Sequence, residues 1–167
     1  MNQTHARNTA ELVVPGFMIG VSAGAVAGGV AMLAGLPAGY VVATTVGLGV
    51  PLAAFGAGYS LLLASGRIRL GGVAPAALYW LFAFPVARCI HEVFVDVLTG
   101  STVALPDGLV RFVVYQAIVS VGYAVGFIWL HENVFPKWWV RVRDHNPVAA
   151  RYVAQYTGQA SRVQPHR

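Results

Sequence analysis

Cysteine is almost missing from this sequence: Cys89 stands alone, which excludes an intrachain disulfide, a CxxC metal site and a c-type haem attachment. Charge is scarce as well. Asp, Glu, Lys and Arg together make up 10% of the chain, against ~25% in ordinary soluble domains. Catalytic spellings are missing too. There is no GxSxG, no P-loop and no dinucleotide fingerprint, and neither "HEVFVD" at 91–96 nor "HEN" at 131–133 is HExxH. No nucleophile–base pair is legible, so the sequence assigns no catalytic residue, no metal ligand and no cofactor.

What is present is apolar. Hydrophobic residues make up 57% of the 167 positions, and the mean hydropathy is +0.64. A soluble fold of this composition could not cover its own core, so the bilayer is part of its solvent. Four apolar stretches stand out, at 12–33, 40–64, 74–98 and 109–130. Each can cross a ~30 Å hydrocarbon core at ~1.5 Å per residue. Between them lie turn spellings, "AGLPAG" at 34–39, "SGRIRLGG" at 65–72 and "TGSTVALPDG" at 99–108. Pro51 and Pro85 fall inside spans two and three, where they are expected to kink rather than end a helix. "VSAGAVA" at 21–27 has the small residues of a signal-peptidase site, but the apolar run continues to Leu33, longer than a signal core.

The net charge of +5 comes from ten Arg and one Lys against six acids. These cations form no stripe with interleaved aromatics, so no nucleic-acid partner is expected. They segregate by loop instead. Arg7 precedes span one, Arg67 and Arg69 lie between spans two and three, and Lys137, Arg141, Arg143, Arg151, Arg162 and Arg167 follow span four. Loops 34–39 and 99–108 hold no Lys or Arg. The positive-inside rule then places both termini in the cytoplasm. The heavy use of Arg, Ala, Gly and Val hints at a bacterial source, hence a bacterial cytoplasmic membrane. The predicted organisation is a cytoplasmic segment 1–11, a four-span membrane domain 12–131 and a basic cytoplasmic tail 132–167. The predicted fold is all-α: an antiparallel four-helix membrane bundle, N-in and C-in.

In the tail, "FPKWWVRVRDHNP" at 135–147 has interface chemistry. Trp138 and Trp139 suit the headgroup level, and Lys137, Arg141 and Arg143 suit an anionic cytoplasmic leaflet. Asn146 and Pro147 read as N-cap and first residue of a helix, with Val148, Tyr152, Val153 and Tyr156 on one face and a stop near Gly158. This is either a short amphipathic surface or docking helix or a loose polar tail; from Gln159 disorder is expected.

Two patterns carry the functional reading. Gly16, Gly20, Gly24 and Gly28 recur every four residues in span one, drifting only about 40° per step, in the manner of a glycine zipper. Gly122 and Gly126 repeat the spacing in span four. Such grooves admit another helix, either within the bundle or from a partner. The second pattern is "ARCIHEVFVD" at 87–96. Arg88, His91, Glu92 and Asp96 share an arc of about 140° and are expected to face inward, because a charge at the bilayer centre costs about 2.5–3.5 kcal/mol on insertion scales. Arg111, Tyr115 and Gln116 of span four lie at matching depth, which suggests an Asp96–Arg111 pair beside an Arg88–Glu92 pair. The cluster reads as a balanced structural network, as a proton, ion, quinone or lipid-headgroup site, or as an interface to a partner subunit. His91 and His131 belong at different depths, so one haem cannot use both.

From this follows the expectation of a non-catalytic small membrane protein, an accessory or assembly subunit that packs against a larger membrane complex or against itself in the lipid bilayer. The alternative is a small transporter, or a carrier-, quinone- or lipid-binding protein using the polar cluster.

Overall fold

The computed structural model describes residues 3–68 and 72–163, with side chains described from 6 to 158 apart from Tyr156. Arg69 and Arg167 lie outside that range, as does the side chain of Arg162. The described chain is all-helical: α1 (Gln3–Leu33), α2 (Ala38–Ala64), α3 (Val73–Thr99), α4 (Leu109–Val142) and α5 (Pro147–Val163). The first four are long and apolar enough to cross a membrane.

The first three helices end by one device. Gly35, Gly66 and Gly100 sit at φ of 73°, 73° and 70°, a left-handed conformation that costs a residue with a Cβ. At each, the next amide reaches back five residues: Leu36 to the Ala31 carbonyl at 3.1 Å, Arg67 to Leu62 at 3.0 Å, Ser101 to Asp96 at 2.9 Å. These glycine stops satisfy carbonyls that the last helical turn would leave unpaired. Proline does not stop these helices. Pro15, Pro51, Pro85 and Pro136 all lie inside them.

Two boundaries differ from the hydropathy reading. α1 is helical from Gln3, so residues 3–11 of the expected cytoplasmic segment are the first part of the helix. α4 runs on through Pro136 to Val142, where the apolar stretch ended at 130. At 34 residues it is ~51 Å long, well beyond a ~30 Å hydrocarbon core. Hydropathy marks where lipid ends, not where a helix ends. α5 likewise continues as helix to Val163, beyond the expected onset of disorder at Gln159.

α1 and α2 lie backbone to backbone. A Cβ at Gly16 would overlap the Gly56 carbonyl, one at Gly20 would overlap the backbone of Leu52 and Ala53, and one at Gly24 would overlap Gly49. At Gly28 it would meet the Thr45 hydroxyl. Partner numbers fall as those of α1 rise, so the two helices run in opposite senses. In this part of the fold the close approach itself is the packing.

α3 and α4 meet through aromatic rings instead. Trp80 stands 4.7 Å from Tyr123 and 4.6 Å from Phe127, centroid to centroid, and Phe84 is 5.0 Å from Tyr123. Tyr59 of α2 closes on Phe127 edge-on at 5.2 Å. Toward the C-terminal end of α4 a second core gathers Leu12, Leu63, Phe135, Trp139, Val142 and Ala149 from four helices. It joins the start of α1, the end of α2, the end of α4 and the first turn of α5.

Candidate functional site

Three places gather polar chemistry. The first is the end of the molecule where α3 passes into α4. On α3 the Arg88 guanidinium donates through Nη2 to Glu92 Oε1 and lies 2.7 Å through Nη1 from His91 Nδ1. The i, i+3 and i+4 spacing brings all three to one face. Arginine can only donate, so His91 Nδ1 accepts and the ring proton belongs on Nε2. That N–H is buried, with no partner among the described residues. A buried donor left unpaired costs about 1–3 kcal/mol.

Asp96 does not join this group. Its carboxylate turns to the connection and accepts from the Ala104 amide at 3.1 Å, and Arg111 forms no ion pair among the described residues. The expected Asp96–Arg111 pair is therefore not made. The physical reason is the connection's own demand: the Ala104 amide needs an acceptor and takes the Asp96 carboxylate. Arg111 and Tyr115 are exposed rather than inward, whereas Gln116 is 4% exposed. Between α3, α4 and the connection lies a pocket of about 320 Å³, lined by Arg88, Glu92, Asp107, Arg111, Tyr115 and Gln116 among others.

The second place is the opposite end. Asn146, wholly buried, caps α5 through Oδ1, which accepts from the amides of Val148 at 3.2 Å and Ala149 at 3.3 Å. Its Nδ2 donates to the Asn8 carbonyl at 2.9 Å and to Glu11 Oε2 at 3.2 Å. Glu11 Oε1 lies 3.0 Å from His145 Nε2 and 3.4 Å from Arg7 Nε. Trp138 Nε1 donates to the Glu11 carbonyl at 2.7 Å, and the Tyr152 hydroxyl donates to the Leu63 carbonyl. α5 is thus clasped to three other helices and is not a loose tail.

The clasp corrects one assignment made for membrane-interface anchors. Trp139 is fully buried, 4.0 Å from Phe135 and 4.4 Å from the Tyr152 ring. It belongs to the core because α5 covers it. Trp138 is half-buried through its bond to Glu11, while Lys137, Arg141 and Arg143 are exposed.

The third place is the seam between them. On α4, Tyr123, Phe127, His131, Phe135 and Trp139 recur every fourth residue. The His131 ring stacks on Phe127 at 5.4 Å and Phe135 at 3.9 Å and meets Tyr59 edge-on. Its Nε2 lies 3.4 Å from the Ser60 hydroxyl. This is a serine–histidine contact that sequence reading missed, although the four-residue aromatic spacing was available to it. Ser60 is wholly buried and His131 is 4% exposed. Among the described residues no carboxylate orients the ring, so the pair lacks both the third member and the access that an activated nucleophile requires.

The glycines of α4 go elsewhere. Among the described residues, nothing beyond the adjoining turns of α4 lies within 4 Å of a Cβ placed at Gly122 or Gly126. Both are exposed, on the side that also presents Tyr115, Ile118 and Trp129. An apolar groove of about 560 Å³ runs between α2 and α3, with Phe55, Tyr79 and Phe82 in its lining. Among the described residues no three His, Cys, Asp or Glu side chains come together as a metal site. Compared with protein-family models, with characterised proteins and with solved structures, the chain finds no match, and its functional reading rests on this geometry alone.

Proposed function

We propose that this chain is a non-catalytic, multi-pass membrane protein that packs as an accessory or assembly subunit against a larger membrane complex. The observation that carries the reading is the outward pair Gly122 and Gly126: among the described residues, nothing beyond the adjoining turns of α4 comes within 4 Å of a Cβ placed at either. In hydrocarbon, helices associate by close packing and hydrogen bonds rather than by the hydrophobic effect, and small residues four apart are where backbones come closest. The partner is a transmembrane helix laid along α4 between Tyr115 and Trp129. The four long helices form an antiparallel bundle in a bacterial cytoplasmic membrane. Both termini lie inside, since the Lys and Arg outside the spans flank the α2–α3 connection and the two ends.

The test is purification of the tagged full chain from its own membranes in a gentle detergent, with mass spectrometry of what remains bound. A stoichiometric membrane complex that is lost on Gly122→Leu with Gly126→Leu supports the subunit reading. A homo-oligomer without other proteins, or a complex untouched by the double variant, overturns it. A second reading, binding of a lipid or carrier at the α3–α4 pocket, has its own observation: the Gln116 side chain is buried against that pocket and hydrogen-bonds to none of the described residues.

A further inference from the structure

The pocket between α3, α4 and the 100–108 connection contains four charges of two kinds. Arg88 and Glu92 are committed to each other, and Arg88 also to His91. Arg111 and Asp107 are not: among the described residues neither enters an ion pair. They come from the first turn of α4 and the end of the connection, and both line the pocket. Beside them stands Gln116, more than nine-tenths buried and unpartnered among the described residues, with the Tyr115 hydroxyl next along the helix. The Gln116 amide faces the open pocket, makes no hydrogen bond to the described residues, and is free to donate to and accept from a group that enters from outside the chain.

One free cation, one free anion and an amide open to the pocket in about 320 Å³ match a small zwitterion better than a simple anion. An anion would gain Arg111 but would meet Asp107 and Glu92. A neutral ligand would leave both free charges unanswered. Arg111 also borders an apolar strip, since Val110, Val114 and Ile118 are exposed along the same helix. A ligand with a charged head here would lay apolar chains down α4. We propose that this pocket binds the headgroup of a phosphate–ammonium zwitterionic lipid of the phosphatidylethanolamine type. Its phosphate is held by Arg111, Tyr115 and Gln116, and its ammonium by Asp107 and the outer oxygen of Glu92. The contacts are charge-assisted hydrogen bonds at headgroup depth, the stronger class of such bonds. The inference rests on the second reading of the chain and not on partner packing.

The test uses the purified, delipidated full chain in micelles and native mass spectrometry. Phosphatidylethanolamine and phosphatidylglycerol of identical acyl chains are offered at equal concentration. Phosphatidylethanolamine is expected to be retained in preference. Arg111→Gln and Asp107→Asn, both at exposed positions, are each expected to lower that retention by roughly tenfold, the loss of one charge-assisted bond. Arg141→Gln, exposed on the far end of α4, is expected to leave it unchanged. Unaltered gel-filtration and circular-dichroism profiles show that the variants are folded. Equal or better retention of phosphatidylglycerol overturns the zwitterion assignment, and so does retention insensitive to both pocket variants. Displacement of the lipid by soluble glycerophosphoethanolamine at the same concentration overturns its lipid part. Each result is read on the isolated chain, so it stands or falls separately from any partner complex.

Discussion

α1 and α4 repeat glycine at the same four-residue spacing and put it to opposite use. On α1 the row meets α2, where Gly49, Ala53 and Gly56 stand opposite, and the two backbones touch. On α4 the row meets no other helix among the described residues. The difference comes from the next residue along. Gly122 and Gly126 each precede a large ring, Tyr123 and Phe127, and consecutive residues on a helix point ~100° apart. Turning the rings into the core, where aromatic side chains bury 150–250 Å² or so each, turns the glycines out. A small-residue spacing permits close approach. Whether the chain uses it or leaves it for another helix depends on what competes for the inward face.

The largest effect is expected where that approach is tightest. Gly20→Leu places a side chain on the backbone of Leu52 and Ala53, where no rotamer change relieves the overlap. The cost should exceed the ~1–3 kcal/mol of ordinary overpacking. Gel filtration of the detergent-solubilised variant should show aggregate or no recoverable protein. A monodisperse, fully helical Gly20→Leu variant would mean that α1 and α2 are not packed as described.

Next in size is the clasp that ties the start of α5 to α1. Asn146→Ala removes the α5 cap and the bonds to Asn8 and Glu11 together. Loss of a cap alone costs about 0.5–2 kcal/mol, and the buried groups left behind add to it. α5 should undock, seen as faster amide exchange over 147–158, while exchange in α1 between 16 and 28 is unaltered. If both regions loosened together, the α1 glycine contact would depend on the clasp and the contrast with α4 would be less sharp.

Much of the coarse fold was legible. Four long apolar runs broken at Gly35, Gly66 and Gly100 become four helices with glycine stops. The errors have physical causes. The apolar stretch stopped at Leu130, yet α4 runs on through Pro136, because one missing amide bond is tolerated where Phe135 and Trp139 pack on either side of it. Trp139 looked like a headgroup anchor because sequence cannot show that α5 returns to cover it. The charged face of α3 was legible as a face, and Arg88, His91 and Glu92 do contact one another. Asp96 was not, because its partner is an amide of the connection, and backbone groups have no residue-type signature.

A smaller effect should come from pH. Burial pushes the Tyr152 phenol above its ordinary value near 10, against the opposing pull of Arg151 and the Gly66 backbone. A group whose folded pKa is raised stabilises the folded form below its unfolded value and loses that contribution as pH climbs through the folded one. Docking of α5 should therefore be constant up to about pH 10 and weaken above it. Tyr152→Phe should abolish that alkaline dependence, as followed by amide exchange over 147–158. The exchange of the α1–α2 contact should be indifferent to it, since no tyrosine bridges those glycines.

The smallest effect on folding is the most telling. Gly122→Leu with Gly126→Leu adds two large side chains at the same spacing that is intolerable on α1, but into space that no other helix occupies among the described residues. Helix propensity favours leucine over glycine by close to 1 kcal/mol per site, so the isolated chain should be as stable as the parent, or slightly more, by denaturant titration in micelles. A loss of stability would mean that α4 packs these glycines inward and that both rows do the same work. Preserved stability joined to loss of a partner in native membranes would separate the two rows by function: α1 uses its glycines to build the fold, and α4 offers the same geometry to another chain.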